Sequence, residues 1–197
     1  RKPLVAGNWK MNKTVEQARS LVEELLPGLQ KVESVERVLC PPFTSLMPVS
    51  AMLMGSGIGV GAQDMHWEAS GAYTGEISPQ MVKELCQYVI IGHSERRTYF
   101  GETDESVHKK VLAALAVQLT PIVCVGETLN ENKANRTAEV VGRQVVDGLK
   151  GIQPELFPRV VIAYEPVWAI GTGLAATAED AVNVVRNIIR PALAGLY

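Results

Sequence analysis

The sequence predicts an α/β fold in which six short strands alternate with helices along the chain. Short apolar runs rich in β-branched residues recur six times, and segments with apolar residues at helical spacing lie between them. No change in composition marks a boundary between domains. Strands that alternate with helices in this way lie parallel and are joined by right-handed crossovers.

The six predicted strands fall at residues 4–9, 37–40, 57–63, 88–92, 121–125 and 160–163. The third strand alternates glycine with apolar residues, which predicts that neighbouring side chains approach one of its faces closely. The sixth strand is a continuous apolar run, the pattern of a strand buried on both faces. The loop over residues 64–77 is longer than most connections between a strand and a helix, which suggests that it has a function.

The predicted helices are identified by their first residues and by their apolar faces. Helices are expected to begin near Thr14, Thr44, Ser78, Thr103 and Thr177. Gln17 gives the first helix the spacing of a capping box, and Pro27 is expected to end it. The residues expected to face the core in the last three helices are Val107, Val111, Leu112 and Leu115, then Val141, Val145 and Leu149, and finally Ala181, Val184, Val185 and Ile188.

The composition argues against several classes of function. A net charge of −2 gives no broad basic surface for nucleic acid, and no apolar run is long enough to cross a membrane. Cys40, Cys86 and Cys124 lack the spacing of a metal site, and we expect them to be reduced core residues. The first residues show no signal-peptide pattern. We therefore expect a cytoplasmic protein with no metal and with no nucleic-acid or membrane partner.

Glu165 directly follows the sixth predicted strand, and Pro166 after it holds its backbone extended. The next segment is apolar and then rich in glycine, which suggests a lid that closes over a site and excludes water. This predicted lid comprises Pro166, Val167, Trp168, Ala169, Ile170, Gly171, Thr172, Gly173 and Leu174. The alternative is that Trp168 and Ile170 only pack on the surface while Glu165 caps the next helix.

Two architectures fit six parallel strands: an open, doubly wound sheet and a closed barrel of strand–helix units. No G-x-G-x-x-G pattern follows the first strand, which argues against a dinucleotide-binding sheet. Lys10, His93 and Glu165 lie just after the first, fourth and sixth predicted strands. In a barrel these side chains would converge at the mouth where barrel enzymes carry out their chemistry, whereas in an open sheet they would converge less readily.

A carboxylate, an imidazole and an ammonium at one mouth suit abstraction of a proton next to a carbonyl group. Glu165 would be the base, and His93 and Lys10 would stabilise the developing oxyanion. Each residue alone also has an ordinary explanation: Lys10 as a solvated charge, His93 as a structural histidine, and Glu165 as a cap or salt-bridge partner. Glu95 could orient Lys10, and the backbone N–H groups of the lid glycines fit a phosphate.

Three segments carry a resemblance to a known family. They are residues 6–12 (AGNWKMN), residues 90–97 (IIGHSERR) and residues 163–173 (AYEPVWAIGTG). On these segments the chain resembles triosephosphate isomerase, and the resemblance extends from about Leu4 to the last residue. It implies a TIM (β/α)8 barrel. It also implies the interconversion of dihydroxyacetone phosphate and D-glyceraldehyde 3-phosphate, in glycolysis and gluconeogenesis, without a metal or organic cofactor.

The resemblance implies a role for each matching residue. Glu165 would move the proton through an enediol(ate) while a neutral His93 polarises the carbonyl, which is the established scheme for this family. Lys10 would supply positive charge, Asn8 would help to hold the substrate, and Gly171 would donate to its phosphate.

Further residues are implied to support this site. Ser94, Glu95 and Cys124 match residues around it, with Glu95 beside the catalytic ammonium and Cys124 buried. The loop around Thr74 resembles the one that inserts into a neighbouring subunit, which implies a homodimer. One position departs from the family pattern, because Leu174 stands where the lid usually has a lysine, and this difference is expected to alter the kinetics of the lid.

The chain contains six of the eight strand–helix units that a complete barrel of roughly 250 residues requires. Residues 1–197 are therefore expected to form a single barrel domain that lacks the C-terminal two units and about half of the phosphate site. Its first and sixth strands would have unpaired edges. The chain could be part of a longer protein, could be completed by a second chain, or could be a shortened barrel that survives by association.

These possibilities leave three hypotheses for function. The main one is an isomerase of triose phosphates. The second is a catalytically impaired barrel fragment that acts as a structural or assembly module. The third is another phosphosugar enzyme on the same barrel.

Overall fold

The computed structural model describes residues 2–170, 173 and 175–196. Its strands follow one another in the sheet in the same order as in the chain. They are β1 (Leu4–Asn8), β2 (Glu36–Cys40), β3 (Gly59–Ala62), β4 (Tyr88–Ile91), β5 (Thr120–Val125) and β6 (Val161–Tyr164). Each predicted strand is present within two residues of its expected bounds, which confirms the α/β prediction.

Helices lie between and after these strands. They are α1 (Val15–Leu29), α2 (Phe43–Leu53), α3 (Pro79–Leu85), α4 (Ser94–Phe100), α5 (Asp104–Ala116), α6 (Leu129–Lys133), α7 (Thr137–Leu149), α8 (Ala178–Val184) and α9 (Arg190–Ala194). The short helices α4 and α6 were not predicted. Neither buries any of its residues, so neither has the apolar stripe by which a helix is identified in a sequence.

Caps confirm the predicted helix starts at Thr14, Ser78, Thr103 and Thr177, whereas α2 begins at Phe43 without a side-chain cap. Thr14 and Gln17 form the expected capping box at α1, and Ser78 caps α3. The prediction that Pro27 ends α1 is wrong, since the helix runs on to Leu29. Proline removes one donor from the last turn, and the helix tolerates this loss so close to its end.

Two predicted core positions are wrong for reasons of helical geometry. Leu112 is 42% exposed, because it lies one residue, and so about 100° around the helix, from the buried Val111. After α8 the chain makes a π-helical turn over Val185–Ile189 that leads into α9. Val185 is 37% exposed, and the turn shifts the next buried position after Val184 to Ile189, one residue beyond the predicted Ile188.

The chain packs as two compact units. The first comprises residues 1–90 and 113–121, and the second comprises residues 91–112 and 122–197. The chain therefore crosses from one unit to the other within β4, within α5 and within β5. The assignment of residues 1–197 to a single barrel domain stays a prediction.

In the first unit, parallel pairing joins β1 to β2, β2 to β3 and β3 to β4. Its core includes Ala18, Val22, Val38, Leu46, Val49, Val60, Val82 and Val89. A Cβ atom on Gly59 would lie 2.7 Å from the Tyr88 ring, and one on Gly61 would lie 2.7 Å from Cys40 Sγ. The predicted close approach to the third strand is therefore confirmed.

In the second unit, β5 and β6 pair in parallel, with Cys124 opposite Ala163. Its core includes Val107, Val111, Val123, Val125, Val141, Val145 and Leu149. The prediction that the sixth strand is buried on both faces is wrong, because each residue of β6 is partly exposed. Among the strands of the described residues, β6 neighbours only β5 and β1 neighbours only β2, as expected for the first and last strands.

The three cysteines are buried and none of them forms a disulfide, as predicted. Burial raises the pKa of Cys40 and of Cys86 to about 12, so both thiols stay protonated at neutral pH. Within the described part of the chain, the structure contains no helix that is long and apolar enough to span a membrane.

Candidate active site

The structure brings together the predicted base and the predicted imidazole in the second unit. Glu165 directly follows β6, and its backbone N–H donates to the Val125 carbonyl at 2.8 Å. Its side-chain Oε1 lies 3.1 Å from His93 Nε2. Its Oε2 accepts a hydrogen bond from the Ser94 N–H at 3.2 Å. The carboxylate thus binds two donors that come from the junction of β4 and α4.

Hydrogen bonds at its two ring nitrogens fix the protonation of His93. The residue is the N-cap of α4, and its Nδ1 accepts a hydrogen bond from the Glu95 N–H at 3.2 Å. The Glu95 carboxylate is farther away, 3.7 Å from Nδ1. Since Nδ1 acts as an acceptor, the ring proton lies on Nε2, which faces Glu165. The geometry therefore describes a neutral imidazole that donates to a carboxylate.

The environment of Glu165 favours its ionised form. Burial by itself would raise the pKa of this carboxyl, but the hydrogen bonds from His93 and Ser94 together lower it below its ordinary value. The alternative that Glu165 caps the next helix is wrong, because Thr177 is the N-cap of α8. The side chain is instead an ionised carboxylate held against an imidazole N–H.

Glu127, which was not proposed as a site residue, lies completely buried after β5. Its carboxylate accepts hydrogen bonds from Asn132, Thr137 and the Tyr164 hydroxyl. Burial and, next, the Glu127 charge raise the pKa of Tyr164, so its hydroxyl stays a donor. A charged residue two positions after an apolar strand was the available signal in the sequence for this network.

Asn8 and Lys10, the other two predicted polar residues, belong to the first unit. Lys10 has a φ of 52°, a left-handed conformation that costs a non-glycine residue roughly 1–2 kcal/mol. Its N–H donates to Asn8 Oδ1 at 2.9 Å, and its carbonyl accepts from Gln63 Nε2 at 3.0 Å. Gln63 also donates to the Cys40 carbonyl at 2.8 Å. Sequence reasoning missed Gln63, which has no motif around it.

Thr74 lies exposed in the predicted long loop of the first unit. Ring contacts hold this loop together: His66 stacks on Trp67 with centroids 4.2 Å apart and lies 4.5 Å from the Tyr73 ring. The loop thus has a fixed base and presents Thr74 to solvent, while a role for Thr74 in a dimer stays a prediction.

The predicted lid begins with a short 3-10 turn over Val167–Ala169, which packs against α6. Ile170 after it is 44% exposed. Three lid residues, Gly171, Thr172 and Leu174, lie outside the described residues. The phosphate contact predicted for Gly171 and the effect predicted for Leu174 therefore stay predictions.

The peptide before His93 is held by a second buried cluster. The Gly92 N–H donates to Glu102 Oε2 at 3.2 Å, and the Arg97 side chain donates to the Gly92 carbonyl at 2.9 Å. Glu102 in turn pairs with Arg96 and with the buried Lys110. Burial alone would raise the pKa of Glu102, but these two cations together lower it.

Substitution of Lys110 by methionine is expected to reduce the free energy of unfolding by about 3 kcal/mol at pH 7, because it leaves a buried carboxylate short of a partner. A carboxyl whose folded-state pKa is lowered stabilises the fold above its unfolded pKa, and this contribution is lost as the pH falls through the folded-state value. The loss caused by K110M should therefore persist from pH 7 down to about pH 4.3 and shrink as the pH falls below that value. Urea unfolding at pH 7 and at about pH 3 measures it.

The neighbouring substitution Lys109→Met is the matched control. Lys109 pairs with Glu105 on the exposed face of the same helix, so its removal should leave the urea midpoint nearly unchanged. Equal effects of the two methionine substitutions at pH 7 would contradict a stabilising role for the buried pair.

Within the described part of the chain, no group of three or more histidine, cysteine, aspartate or glutamate side chains is placed to bind a metal ion. The site is a carboxylate and a neutral imidazole in direct contact, an arrangement that can accept a proton at one atom and donate a hydrogen bond from another.

Comparison with known proteins assigns the family. A family model described as triosephosphate isomerase matches residues 3–197. The triosephosphate isomerase of Moorella thermoacetica is 57% identical over this whole chain and 79% of its own length. That of Thermoanaerobacter pseudethanolicus is 54% identical with the same coverage. A crystal structure of triosephosphate isomerase from Bartonella henselae superposes with a TM-score of 0.82 at 40% identity, covering 93% of this chain and 73% of that one. The chain belongs to the triosephosphate isomerase family.

Proposed function

We propose that this protein interconverts dihydroxyacetone phosphate and D-glyceraldehyde 3-phosphate by proton transfer through an enediol(ate), as a step of glycolysis and gluconeogenesis. The observation that carries the proposal is the contact of 3.1 Å between Glu165 Oε1 and His93 Nε2, with His93 Nδ1 occupied by the Glu95 N–H. Family membership supports the substrate, since each relative named above is a triosephosphate isomerase.

In the proposed mechanism, Glu165 takes a proton from the carbon next to the substrate carbonyl. The electron pair of the broken C–H bond forms the enediolate, and the His93 N–H stabilises the negative oxygen. Glu165 then returns the proton to the neighbouring carbon, while the oxygen-bound protons are exchanged so that the carbonyl moves by one carbon. The substrate replaces the direct contact between Glu165 and His93.

The other predicted residues take supporting roles in this proposal. Lys10 adds positive charge near the developing oxyanion, and Asn8, whose side chain already binds the Lys10 N–H, helps to orient the substrate. Residues 166–174 close over the bound substrate and exclude water, and Gly171 donates to the phosphate. The mechanism uses only side-chain and backbone groups of the protein, so the proposal includes neither a metal nor an organic cofactor.

We further propose a homodimer in the cytoplasm. The exposed loop around Thr74 would insert into a second copy, and exposed apolar side chains at Tyr73 and Met81 support a contact surface in the same unit. The three buried cysteines, none of which forms a disulfide, fit a reducing compartment.

The proposal predicts that the purified chain converts each triose phosphate into the other, in both directions, without added metal. It also predicts that phosphoglycolate, a mimic of the enediolate, binds competitively with substrate. Coupled assays with EDTA present and titration calorimetry measure the two properties. Turnover of a different aldose–ketose phosphate pair without turnover of triose phosphate would contradict the proposed substrate, and a chain that neither turns over substrate nor binds phosphoglycolate would contradict the enzyme.

A further inference from the structure

Gln144 on α7 binds both polar groups of a single peptide residue, Gly126, in the second unit. Its Oε1 accepts a hydrogen bond from the Gly126 N–H at 2.8 Å, and its Nε2 donates to the Gly126 carbonyl at 3.2 Å. The side chain is only 5% exposed, although its neighbours on this helix face, Val141 and Val145, are apolar. A buried amide among valines has to satisfy both its donor and its acceptor, and here one residue satisfies both.

Gly126 directly follows β5, and there it meets the backbone of Glu165. The Glu165 N–H donates to the Val125 carbonyl at 2.8 Å, one residue before Gly126. A Cβ atom on Gly126 would lie 1.8 Å from the Glu165 carbonyl oxygen. The backbone of Glu165 therefore packs directly against Gly126.

A carboxamide is the side chain that this position requires. At the end of a strand, the N–H and carbonyl of one residue point to the same side, where a further strand would pair with both. The glutamine offers one acceptor and one donor in the same plane and so takes the place of that strand. An ionised carboxylate could only accept, and an apolar side chain would remove the partner of both partly buried Gly126 groups.

We propose that Gln144 is a positioning residue for Glu165. By holding the Gly126 peptide, Gln144 sets the position of the Glu165 backbone and so keeps its carboxylate within reach of His93 Nε2 and the Ser94 N–H. The catalytic consequence rests on the proposed function, in which Glu165 is the base. The effect of Gln144 on the position of Glu165 follows from the hydrogen bonds and contacts of Gly126 and does not depend on the proposed function.

The first test is an NMR titration of the Glu165 carboxyl carbon in the 197-residue chain, with Gln144→Met as the variant and Val141→Ala as the control. Both substitutions disturb the same helix face, but only Q144M removes the hydrogen bonds to Gly126. In Q144M the bonds from His93 and Ser94 should lengthen, and the Glu165 pKa should rise toward its ordinary value by about half a unit or more. In this unit the titratable groups facing Glu165 are His93 and, beyond it, Glu95, so their resonances are followed in the same spectra.

The second test is hydrogen exchange at the Glu165 amide, which bonds to the Val125 carbonyl. At matched global stability, exchange should be about tenfold faster in Q144M than in V141A. The same Glu165 pKa and the same amide exchange in both variants would overturn the proposal.

A second variant covers the case in which Q144M does not fold. Gln144→Glu presents both a donor and an acceptor while its carboxyl is protonated, and only acceptors when it is ionised. Glu165 amide exchange, corrected for its intrinsic dependence on pH, should match the wild type at low pH and accelerate as the new carboxyl ionises. Corrected exchange that does not change with pH in this variant would also overturn the proposal.

Turnover measurements distinguish a failure of this inference from a failure of the proposed function. Q144M should lower kcat about tenfold with KM changed less than twofold, because the base is displaced while the substrate contacts remain. A wild-type chain without isomerase activity would refute the function but leave the carboxyl titration and amide exchange as tests of positioning. An active wild type with an equally active Q144M would refute the positioning role alone.

Discussion

Replacement of Glu165 by glutamine is expected to lower kcat for both triose phosphates about a thousandfold, with KM changed far less. Glutamine has the same size and can still accept the Ser94 N–H, but an amide cannot take a proton from carbon. The substitution therefore removes the base and keeps most of the site. Steady-state assays at saturating substrate measure the loss. Deuterium uptake from D2O into dihydroxyacetone phosphate, followed by NMR, reports the proton-transfer step directly.

The matched control makes the same change at Glu105, an exposed carboxylate on α5. Glu105→Gln removes one negative charge from the same unit without touching His93 or Glu165, so its kcat should stay within about twofold of the wild type. An E165Q variant that retains full turnover would remove Glu165 from the mechanism.

The same residue sets the acid limit of activity. The Glu165 pKa is lowered by its donors, so the base should remain ionised below the ordinary range of a glutamate. The free energy that this contact contributes to folding is present above the unfolded pKa and is lost as the pH falls through the folded-state value. Once ionisation of the substrate phosphate near about pH 6 is corrected for, the acid limb of kcat/KM should therefore lie below about pH 4.3. A limb near pH 6 that remains after this correction would contradict an ionised, hydrogen-bonded base.

The strands and the residues after them could be predicted from the sequence because their physical signals are local. Short β-branched runs mark a buried strand, and a charged residue immediately after such a run lies at the strand end. This reasoning located His93 and Glu165, which the structure then places in contact. It also located Lys10 just after the first strand, whereas Asn8 was identified only by the family resemblance. These local signals could not identify Gln63, because its hydrogen bond to Lys10 joins residues that lie 53 positions apart in the sequence.

What could not be predicted depends on contacts rather than on periodicity. The π-helical turn exists because the Arg190 N–H bonds to the Val185 carbonyl, and it makes room for Pro191 in the following turn. The sequence did carry a signal for Gln144, since it is a polar residue inside the apolar stripe of α7. That pattern identifies a buried polar group but does not name its partner, which becomes visible only when β5 and α7 are packed together.

Substitution of Gly126 by alanine is expected to reduce the free energy of unfolding by about 3 kcal/mol or more. The new Cβ would lie 1.8 Å from the Glu165 carbonyl oxygen and 2.9 Å from its carbonyl carbon. Both are backbone atoms, which cannot rotate aside as the end of a flexible side chain can. The strain is purely steric, and its relief would push Glu165 away from Val125. Urea unfolding measures the loss, and the kcat of the remaining folded protein should fall with it.

Gly142→Ala in α7 is the control, because it makes the same glycine-to-alanine change at a position without the backbone contact. A Cβ atom on Gly142 meets nothing within 4 Å, so alanine there should stabilise the helix by about 1 kcal/mol. The two glycines lie in the same unit and are changed in the same way, yet opposite signs are expected because only one of them touches the backbone of the proposed base. If G126A were as stable as G142A, the backbone contact between Gly126 and Glu165 would not constrain the site.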